Sequence, residues 1–232
     1  MNDRRGGEHF GEEQAAAYDK RFEKIAPMRD NLHLVMRFAL AGIPDNARVL
    51  CVGAGTGLEL FYLAEAFPAW RFTAVEPAAP MLAQCRRRAE RLGVASRCDF
   101  HEGYLDTLPE TAPFDAATAL LVSHFILEEE PRRGFFRGIA ARLREGAPLV
   151  NADLSADRDA PDFRAQYDLW LRAMRHADLS EEKLEEYKRA FEKGVSLLPP
   201  SSLAALISSA GFEAPQEIWR SLLMRAWVSR RA

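Results

Sequence analysis

The chain has few of the features that mark membrane, disulfide-rich or nucleic-acid-binding proteins. Its 232 residues include only three cysteines, which are too few and too scattered for a disulfide framework or a zinc site. The formal net charge is −3, so no basic surplus points to nucleic acid or to an anionic membrane. No apolar run reaches membrane-spanning length, and residues 1–7 lack the apolar centre of a signal peptide. We therefore expect reduced thiols, no metal site, a cytoplasmic location and no membrane or nucleic-acid partner.

The arginines fall into two clusters that alternate with apolar residues on predicted helices. One contains Arg86, Arg87, Arg88 and Arg91, and the other contains Arg132 and Arg133. We interpret both clusters as solvated helix faces rather than as a footprint for tRNA.

Residue patterns predict an α/β fold, because short β-forming runs alternate with helical ones. Strands are predicted over 48–52, 71–75, 96–101, 114–122, 148–153, 213–219 and 222–228. Helices are predicted over 12–26, 32–43, 58–67, 80–92, 132–143, 162–177, 180–193 and 201–210. Pro27 is expected to end the first helix. We predict one domain, with an N-terminal helical cover (1–44), a ligand-binding core (45–153), a helical cap insertion (155–198) and a final helix with a β-hairpin (199–232). A homodimer is left open.

A glycine-rich turn joins the first predicted strand to the next helix. The strand runs into Gly53, Gly55 and Gly57, and a helix-forming run begins at Leu58. Glycines in such a turn let the backbone approach a ligand, and the free N–H groups of the helix start face it. A dinucleotide fingerprint needs a glycine where Leu58 stands, and a P-loop needs a Gly-Lys-Ser/Thr run that is missing.

A carboxylate follows the second predicted strand, about 20 residues after the glycine turn. Ligands of open α/β sheets bind beyond the carboxyl ends of the strands, so Glu76 is placed to accept hydrogen bonds from a ribose diol. The two features together predict a nucleoside site.

The pattern Gly53-x-Gly55-x-Gly57 resembles motif I of the class I S-adenosylmethionine (SAM)-dependent methyltransferases. Further segments follow in the order of that family, over roughly residues 45–153 and 199–230: Glu76, Gly103-Tyr104, Phe114-Asp115, 142–149 and Ala210-Gly211-Phe212. The resemblance implies a doubly wound, Rossmann-like, seven-stranded sheet that is mostly parallel with its last strand antiparallel. It also implies SAM as cofactor, S-adenosylhomocysteine as product and a small-molecule acceptor.

The resemblance also implies which residues contact the cofactor. Glu76 would hold the ribose, Gly103 to Leu105 would flank the adenine, and Arg29 would either pair with the SAM carboxylate or lie in solvent. The full set is Tyr18, Arg29, Gly53, Ala54, Gly55, Thr56, Gly57, Glu76, Pro77, Met81, Gly103, Tyr104, Leu105, Ala119 and Leu120.

Two positions depart from the family pattern. Cys51 stands where the family commonly has an acid that helps to anchor the SAM amino group, and Glu59 either replaces that acid or points into solvent. Tyr104 stands where an aspartate often contacts the adenine, so it stacks on the base or leaves the polar contact to Asp106.

Methyl transfer from SAM requires few catalytic groups from the protein. The electrophile is already activated, so positioning does much of the work, and a base is needed only when the nucleophile must lose a proton. His124 is the candidate base, with core packing as its alternative. Ser123, Tyr167, Trp170 and Arg189 are the candidate substrate residues. The Asn/Asp-Pro-Pro-Tyr/Phe motif of nucleobase N-methyltransferases is missing between Leu120 and Phe125.

Two alternatives stay open. Residues 120–125, 128–131 and Lys188-Arg189 are similar to the carboxy-SAM synthase branch of tRNA modification, in which an arginine at the position of Arg189 holds the extra carboxylate. Cys51 in place of an acid favours instead a non-catalytic SAM- or nucleoside-binding module.

Overall fold

The computed structural model describes residues 22–177 and 181–232. Its strands are β1 (Arg48–Val52), β2 (Arg71–Glu76), β3 (Cys98–Glu102), β4 (Ala116–Leu120), β5 (Pro148–Leu154), β6 (Gln216–Ser221) and β7 (Met224–Arg230). Its α-helices are α1 (Ala26–Leu40), α2 (Leu58–Ala66), α3 (Ala79–Arg91), α4 (Glu129–Ala140), α5 (Phe163–His176), α6 (Glu181–Gly194) and α7 (Pro200–Ser209). Short 3-10 helices cover Glu23–Ile25, Ala95–Arg97, Leu105–Thr107 and Ser123–Phe125.

The seven strands form one sheet in the order β3-β2-β1-β4-β5-β7-β6. Strands β1 to β5 pair in parallel, and β7 runs antiparallel to both β5 and β6. The prediction of a mostly parallel sheet with the last strand antiparallel is therefore confirmed. The strand order reverses between β1 and β4, which is where such sheets bind ligands at their carboxyl ends.

Apolar side chains fill both faces of the sheet. One cluster joins β1, β4 and β5 to α4 and α7, and a second joins the other face to α1, α2 and α3. A third cluster packs α5 and α6 against α1 and the β6–β7 hairpin. All three cysteines are free thiols and buried, as expected. Within the described ranges, no helix has both the length and the apolar character needed to cross a membrane.

The structure corrects three sequence predictions. Pro27 does not end a helix: it lies in the first turn of α1, where its missing N–H costs no hydrogen bond. Strand β4 stops at Leu120, because Leu121 adopts a φ of 59° and Ser123–Phe125 forms a 3-10 turn. The third correction concerns Arg132, which is buried rather than solvated.

Candidate active site at the carboxyl ends of β1, β2, β4 and β5

The glycine turn after β1 has a backbone that side chains would disfavour. Gly53, Gly55 and Gly57 have φ values of 69°, 54° and 82°, in the left-handed region. A Cβ on Gly53 would clash with Cγ2 of Val122, so the turn touches the segment that follows β4. Gly53 and Gly55 are half-buried while Ala54 is buried, so the loop presents glycine backbone outward.

Glu76 ties this loop to the end of β2. One carboxylate oxygen accepts the Gly55 N–H at 2.9 Å, and the other accepts the Ala78 N–H at 2.9 Å. Burial raises the pKa of Glu76, and these two hydrogen bonds oppose that increase. A carboxylate offers about four lone-pair sites, so two acceptor sites are left for a ligand.

The segment after β3 lies beside Glu76. Gly103 donates its N–H to the Glu76 carbonyl at 3.1 Å, and Thr107 donates its hydroxyl to the Tyr104 carbonyl at 2.7 Å. Tyr104 is half-buried, whereas Leu105 is buried in the core beneath it. Met81, at the start of α3, is buried and its Cε lies 3.5 Å from the position of a Cβ on Gly55. Gly103 therefore lies against Glu76, and Met81 lies against Gly55 of the loop.

A second buried acid near the glycine loop is Glu59. Residue 51, where the family pattern has an acid, is a cysteine. Glu59 lies in the first turn of α2 and is 8 % exposed. Desolvation raises the pKa of Glu59 to about 8, against hydrogen bonds from the backbone of Glu59 and Leu60. Burial also raises the pKa of the Cys51 thiol, and the nearby Glu59 carboxylate adds to that increase. The Glu59 side chain is thus buried in the first turn of its helix, where the positive end of the helix dipole lies, and it does not point into solvent.

A histidine–aspartate pair lies at the ends of β4 and β5. His124 Nδ1 is 3.1 Å from Asp153 Oδ1, and the same oxygen accepts the His124 backbone N–H at 2.9 Å. The Leu154 N–H is farther from Nδ1, at 3.4 Å. We assign the proton to Nδ1, because the charge-assisted contact with the carboxylate is the shorter one. This assignment leaves Nε2 as the acceptor of the ring. His124 and Asp153 are 3 % and 0 % exposed.

Arg132 of α4 completes this buried polar cluster. Its Nε donates to Ser123 Oγ at 2.9 Å, and Ser123 in turn donates to Asp153 Oδ2 at 2.8 Å. Its Nη2 lies 3.7 Å from Asp153 Oδ1. Arg132 is 1 % exposed; burial lowers the pKa of its guanidinium, and Asp153 counteracts this decrease.

The chain returning from the cap covers the same cluster. Ser196 donates its N–H to the His124 carbonyl at 2.8 Å and accepts a hydrogen bond from Arg132 Nη1 at 3.1 Å. Two residues later, the Leu198 carbonyl accepts the Ser155 hydroxyl at 2.7 Å. The segment 195–198 therefore fixes the cap to the ends of β4 and β5.

Comparison with known proteins identifies the domain that carries this site. Residues 49–146 match the family described as a methyltransferase domain. Over these residues, the chain is similar to the class I SAM-dependent methyltransferases. The match confirms the methyltransferase resemblance predicted from the glycine turn and Glu76, and the matched family implies the use of SAM.

A curated protein similar to this chain is the erythromycin 3''-O-methyltransferase of Saccharopolyspora erythraea. It is 35 % identical over 115 residues, which are 49 % of this chain and 37 % of the relative. Two solved methyltransferases share the fold. An O-methyltransferase family protein from Burkholderia thailandensis has a TM-score of 0.67 at 15 % identity, covering 94 % of this chain and 59 % of its own. The mitomycin 7-O-methyltransferase MmcR has a TM-score of 0.61 at 22 % identity, covering 84 % and 52 %. This chain thus spans well under two thirds of each.

Of the site residues predicted on the cover and the cap, two make contacts with residues outside the glycine loop and one is exposed. Tyr18 lies outside the described residues. Arg29 pairs with its neighbour Asp30 at 2.8 Å on α1. Trp170 is buried in the cap and donates to the Tyr187 hydroxyl at 2.8 Å, whereas Arg189 is exposed on α6.

Two predicted substrate residues are held by internal contacts. Ser123 is 1 % exposed, and its hydroxyl is hydrogen-bonded to Arg132 and Asp153. It therefore belongs to the polar cluster. Tyr167 stacks on Phe163 with ring centroids 6.0 Å apart and tilts against Phe191 at 5.6 Å.

Sequence reasoning missed Asp153, Arg132 and Ser196. Asp153 ends a strand, as Glu76 does, so the rule that selected Glu76 could have selected it as well. Arg132 was missed because it was grouped with its neighbour Arg133 as one solvated cluster. Arg133 does form the exposed ion pairs expected of a solvated helix face. No local pattern marks Ser196, because its role depends on backbone groups and on the path of the cap.

Proposed function

We propose that this chain transfers a methyl group from SAM to a hydroxyl oxygen of a small-molecule acceptor. The observation that carries the proposal is the His124–Asp153 pair, which lies two residues beyond the Val122 contact with the glycine loop. A hydroxyl nucleophile must lose its proton, and a base at the sheet edge beside the cofactor loop would accept it.

The residues present fit SAM. The half-exposed glycine backbone of Gly53 and Gly55 leaves room for the methionine part, and the two spare acceptor sites of Glu76 suit the ribose hydroxyls. Gly103, Tyr104 and Leu105 would flank the adenine. When bound, SAM supplies an electrophilic methyl group on a positively charged sulfur.

His124 would act as the general base. With its hydrogen on Nδ1 and directed at Asp153, the ring keeps a lone pair on Nε2 for the acceptor proton. Because His124 is 3 % exposed, the acceptor reaches the ring only when the segment 195–198 moves. We include this movement of the cap, and a cytoplasmic small-molecule acceptor, in the proposal.

Oxygen as the receiving atom is supported by the names of the similar proteins. The erythromycin enzyme and both solved relatives are described as O-methyltransferases. Their acceptors do not transfer to this chain, because it covers only 37 % of the erythromycin enzyme.

Calorimetry with SAM and S-adenosylhomocysteine tests the cofactor half of the proposal. We expect micromolar binding, which Glu76→Gln weakens about tenfold because the ribose loses a charge-assisted acceptor. Glu90→Gln, at an exposed position of α3, is the matched control and leaves binding unchanged. No heat of binding at millimolar ligand would overturn the proposal and favour a domain that does not use SAM.

Radiolabelled methyl transfer to a panel of phenols, alcohols and hydroxylated macrolides tests the second half. His124→Asn should lower kcat by about 100-fold or more at unchanged S-adenosylhomocysteine affinity, since a positioned base contributes on the order of 10²–10⁴. Equal turnover of the variant with any accepted member of the panel would exclude His124 as the base.

A further inference from the structure

We propose that Arg132 is a positioning residue for His124, whose buried positive charge balances Asp153 and so leaves the imidazole neutral with its acceptor nitrogen free. The inference deepens the proposed function and rests on it, because it concerns the state in which the base is held. It assigns a role to a residue that does not contact the acceptor or the cofactor.

The first support is geometric. Asp153 accepts from the His124 backbone N–H at 2.9 Å, from the Ser123 hydroxyl at 2.8 Å and from Asn151 Nδ2 at 3.4 Å. It also lies 3.1 Å from the His124 ring and 3.7 Å from Arg132 Nη2. The guanidinium reaches the same carboxylate twice, directly through Nη2 and indirectly from Nε through Ser123 Oγ. Asp153 is therefore shared between the base and a permanent cation.

The second support is the charge inventory around His124. Among the described residues, the charged groups in contact with the cluster are Asp153 from β5 and Arg132 from α4. The other contacts are neutral: Ser123 and the ring of Phe125 from its own 3-10 turn, the Asn151 amide and the Leu154 N–H from β5, and the Ser196 backbone from the cap. One anion and one cation leave the cluster balanced when the imidazole carries no charge.

The third support is the effect of a carboxylate without a compensating cation on the protonation of a neighbouring imidazole. A buried anion within hydrogen-bond distance favours the imidazolium, which has no lone pair with which to accept a proton. An arginine does not release its own proton, so it compensates Asp153 permanently and without competing for the substrate proton. A methionine of similar length would fill the space without the charge.

Arg132 also has a packing role, since its Nη1 bonds to the Ser196 carbonyl and holds the cap return. Loss of activity in a variant would therefore not separate charge from structure. The protonation state of the His124 ring does separate them, because a purely structural role for Arg132 gives no reason for the ring to gain a proton.

The experiment is nitrogen-15 NMR of the histidine rings in the 232-residue chain at pH 7.5, without SAM or acceptor. Ring nitrogen shifts distinguish the two neutral tautomers from the imidazolium, and the His124→Asn spectrum identifies the His124 signals among the five histidines. In the wild type we expect the neutral form with hydrogen on Nδ1. In Arg132→Met we expect the imidazolium fraction to rise about tenfold, as an unpaired neighbouring carboxylate predicts.

Three variants complete the design. Arg132→Lys keeps the cation and should keep the ring neutral. The double variant Arg132→Met/Asp153→Asn removes both charges; it should also stay neutral, and it guards against misfolding of the unbalanced single variant. Arg137→Met, on the exposed side of the same helix and 60 % exposed, is the matched control and should match the wild type.

An imidazolium signal in the wild type at pH 7.5, or the same ring state in Arg132→Met and the wild type, would overturn the inference. So would an imidazolium in the doubly neutralised variant. These outcomes are independent of the methyl-transfer assay: the ring state is readable even if His124→Asn retains turnover, which would remove the proposed base instead.

Discussion

At the scale of single residues, one buried acid near the glycine loop stands at a different sequence position from the acid of the family pattern. An acid was expected at position 51, where Cys51 is completely buried. Glu59, eight residues later, is the buried acid and lies in the first turn of α2. The sequence left open whether Glu59 replaces the acid or points into solvent. Only the path of the turn decides this, because it directs the side chain under the loop.

Glu59 should make the stability of the fold depend on pH. Burial raises its pKa from an ordinary 4.5 to about 8, so the folded state retains a proton that the unfolded state has lost. Stability from this group is therefore full below about pH 4.5 and falls as the pH rises towards 8. The steepest loss is about 1.4 kcal/mol per pH unit.

Denaturant unfolding of the wild type and of Glu59→Gln between pH 5 and 8 measures this effect. The difference in unfolding free energy should move steadily in favour of Glu59→Gln as the pH rises. His33 has the opposite influence, because burial lowers its pKa to about 4, but it is common to both proteins and cancels in the difference. Glu90→Gln should show no such trend, and parallel pH profiles for Glu59→Gln and the wild type would contradict the assignment.

At the scale of elements, the sequence predicted strands and helices well and their junctions less well. Alternation of apolar runs located all seven strands, because buried parallel strands are short and rich in β-forming residues. The early end of β4 was missed, since nothing in the sequence marks Leu121 for a left-handed backbone. The same junction carries His124 and the contact between Val122 and the glycine turn. The candidate base and its contact with the glycine turn therefore lie at a junction whose backbone conformation the local sequence pattern does not predict.

This junction gives a test of the glycine turn. Gly53→Ala places a methyl group in a left-handed backbone and against Val122, so it should destabilise the fold by roughly 2–4 kcal/mol. Adding Val122→Ala should recover part of this loss, because it removes the clash but not the backbone strain. Gly134→Ala is the control: no atom lies within 4 Å of its added Cβ, and its position inside α4 predicts a gain of about 1 kcal/mol. Thermal and chemical unfolding measure all four proteins, and a Gly53→Ala variant as stable as the wild type would contradict the contact.

At the scale of the whole molecule, the predicted cap is bound into the core rather than appended to it. Its buried Trp170 and Phe191 share one apolar cluster with Leu32 of α1 and with Trp219 of the hairpin. A polar contact repeats the connection, because Arg220 of the hairpin donates to Gln166 of α5 at 2.8 Å. Removing the cap would expose this cluster, so the cap and the core should unfold together.

The binding of S-adenosylhomocysteine tests this coupling across the molecule. At a ligand concentration about 100 times Kd, mass action adds about 2.7 kcal/mol, which for a chain of this length raises Tm by about 5–10 °C. Because the ligand would bind the glycine loop while Trp170 lies in the cap, tryptophan fluorescence and far-ultraviolet circular dichroism should report the same midpoint and the same shift. A Trp170→Phe variant should lose the cap component of the fluorescence signal without separating the two curves. Two transitions, or a Tm increase in one probe alone, would show instead that the cap is a separate unit whose opening is independent of the cofactor loop.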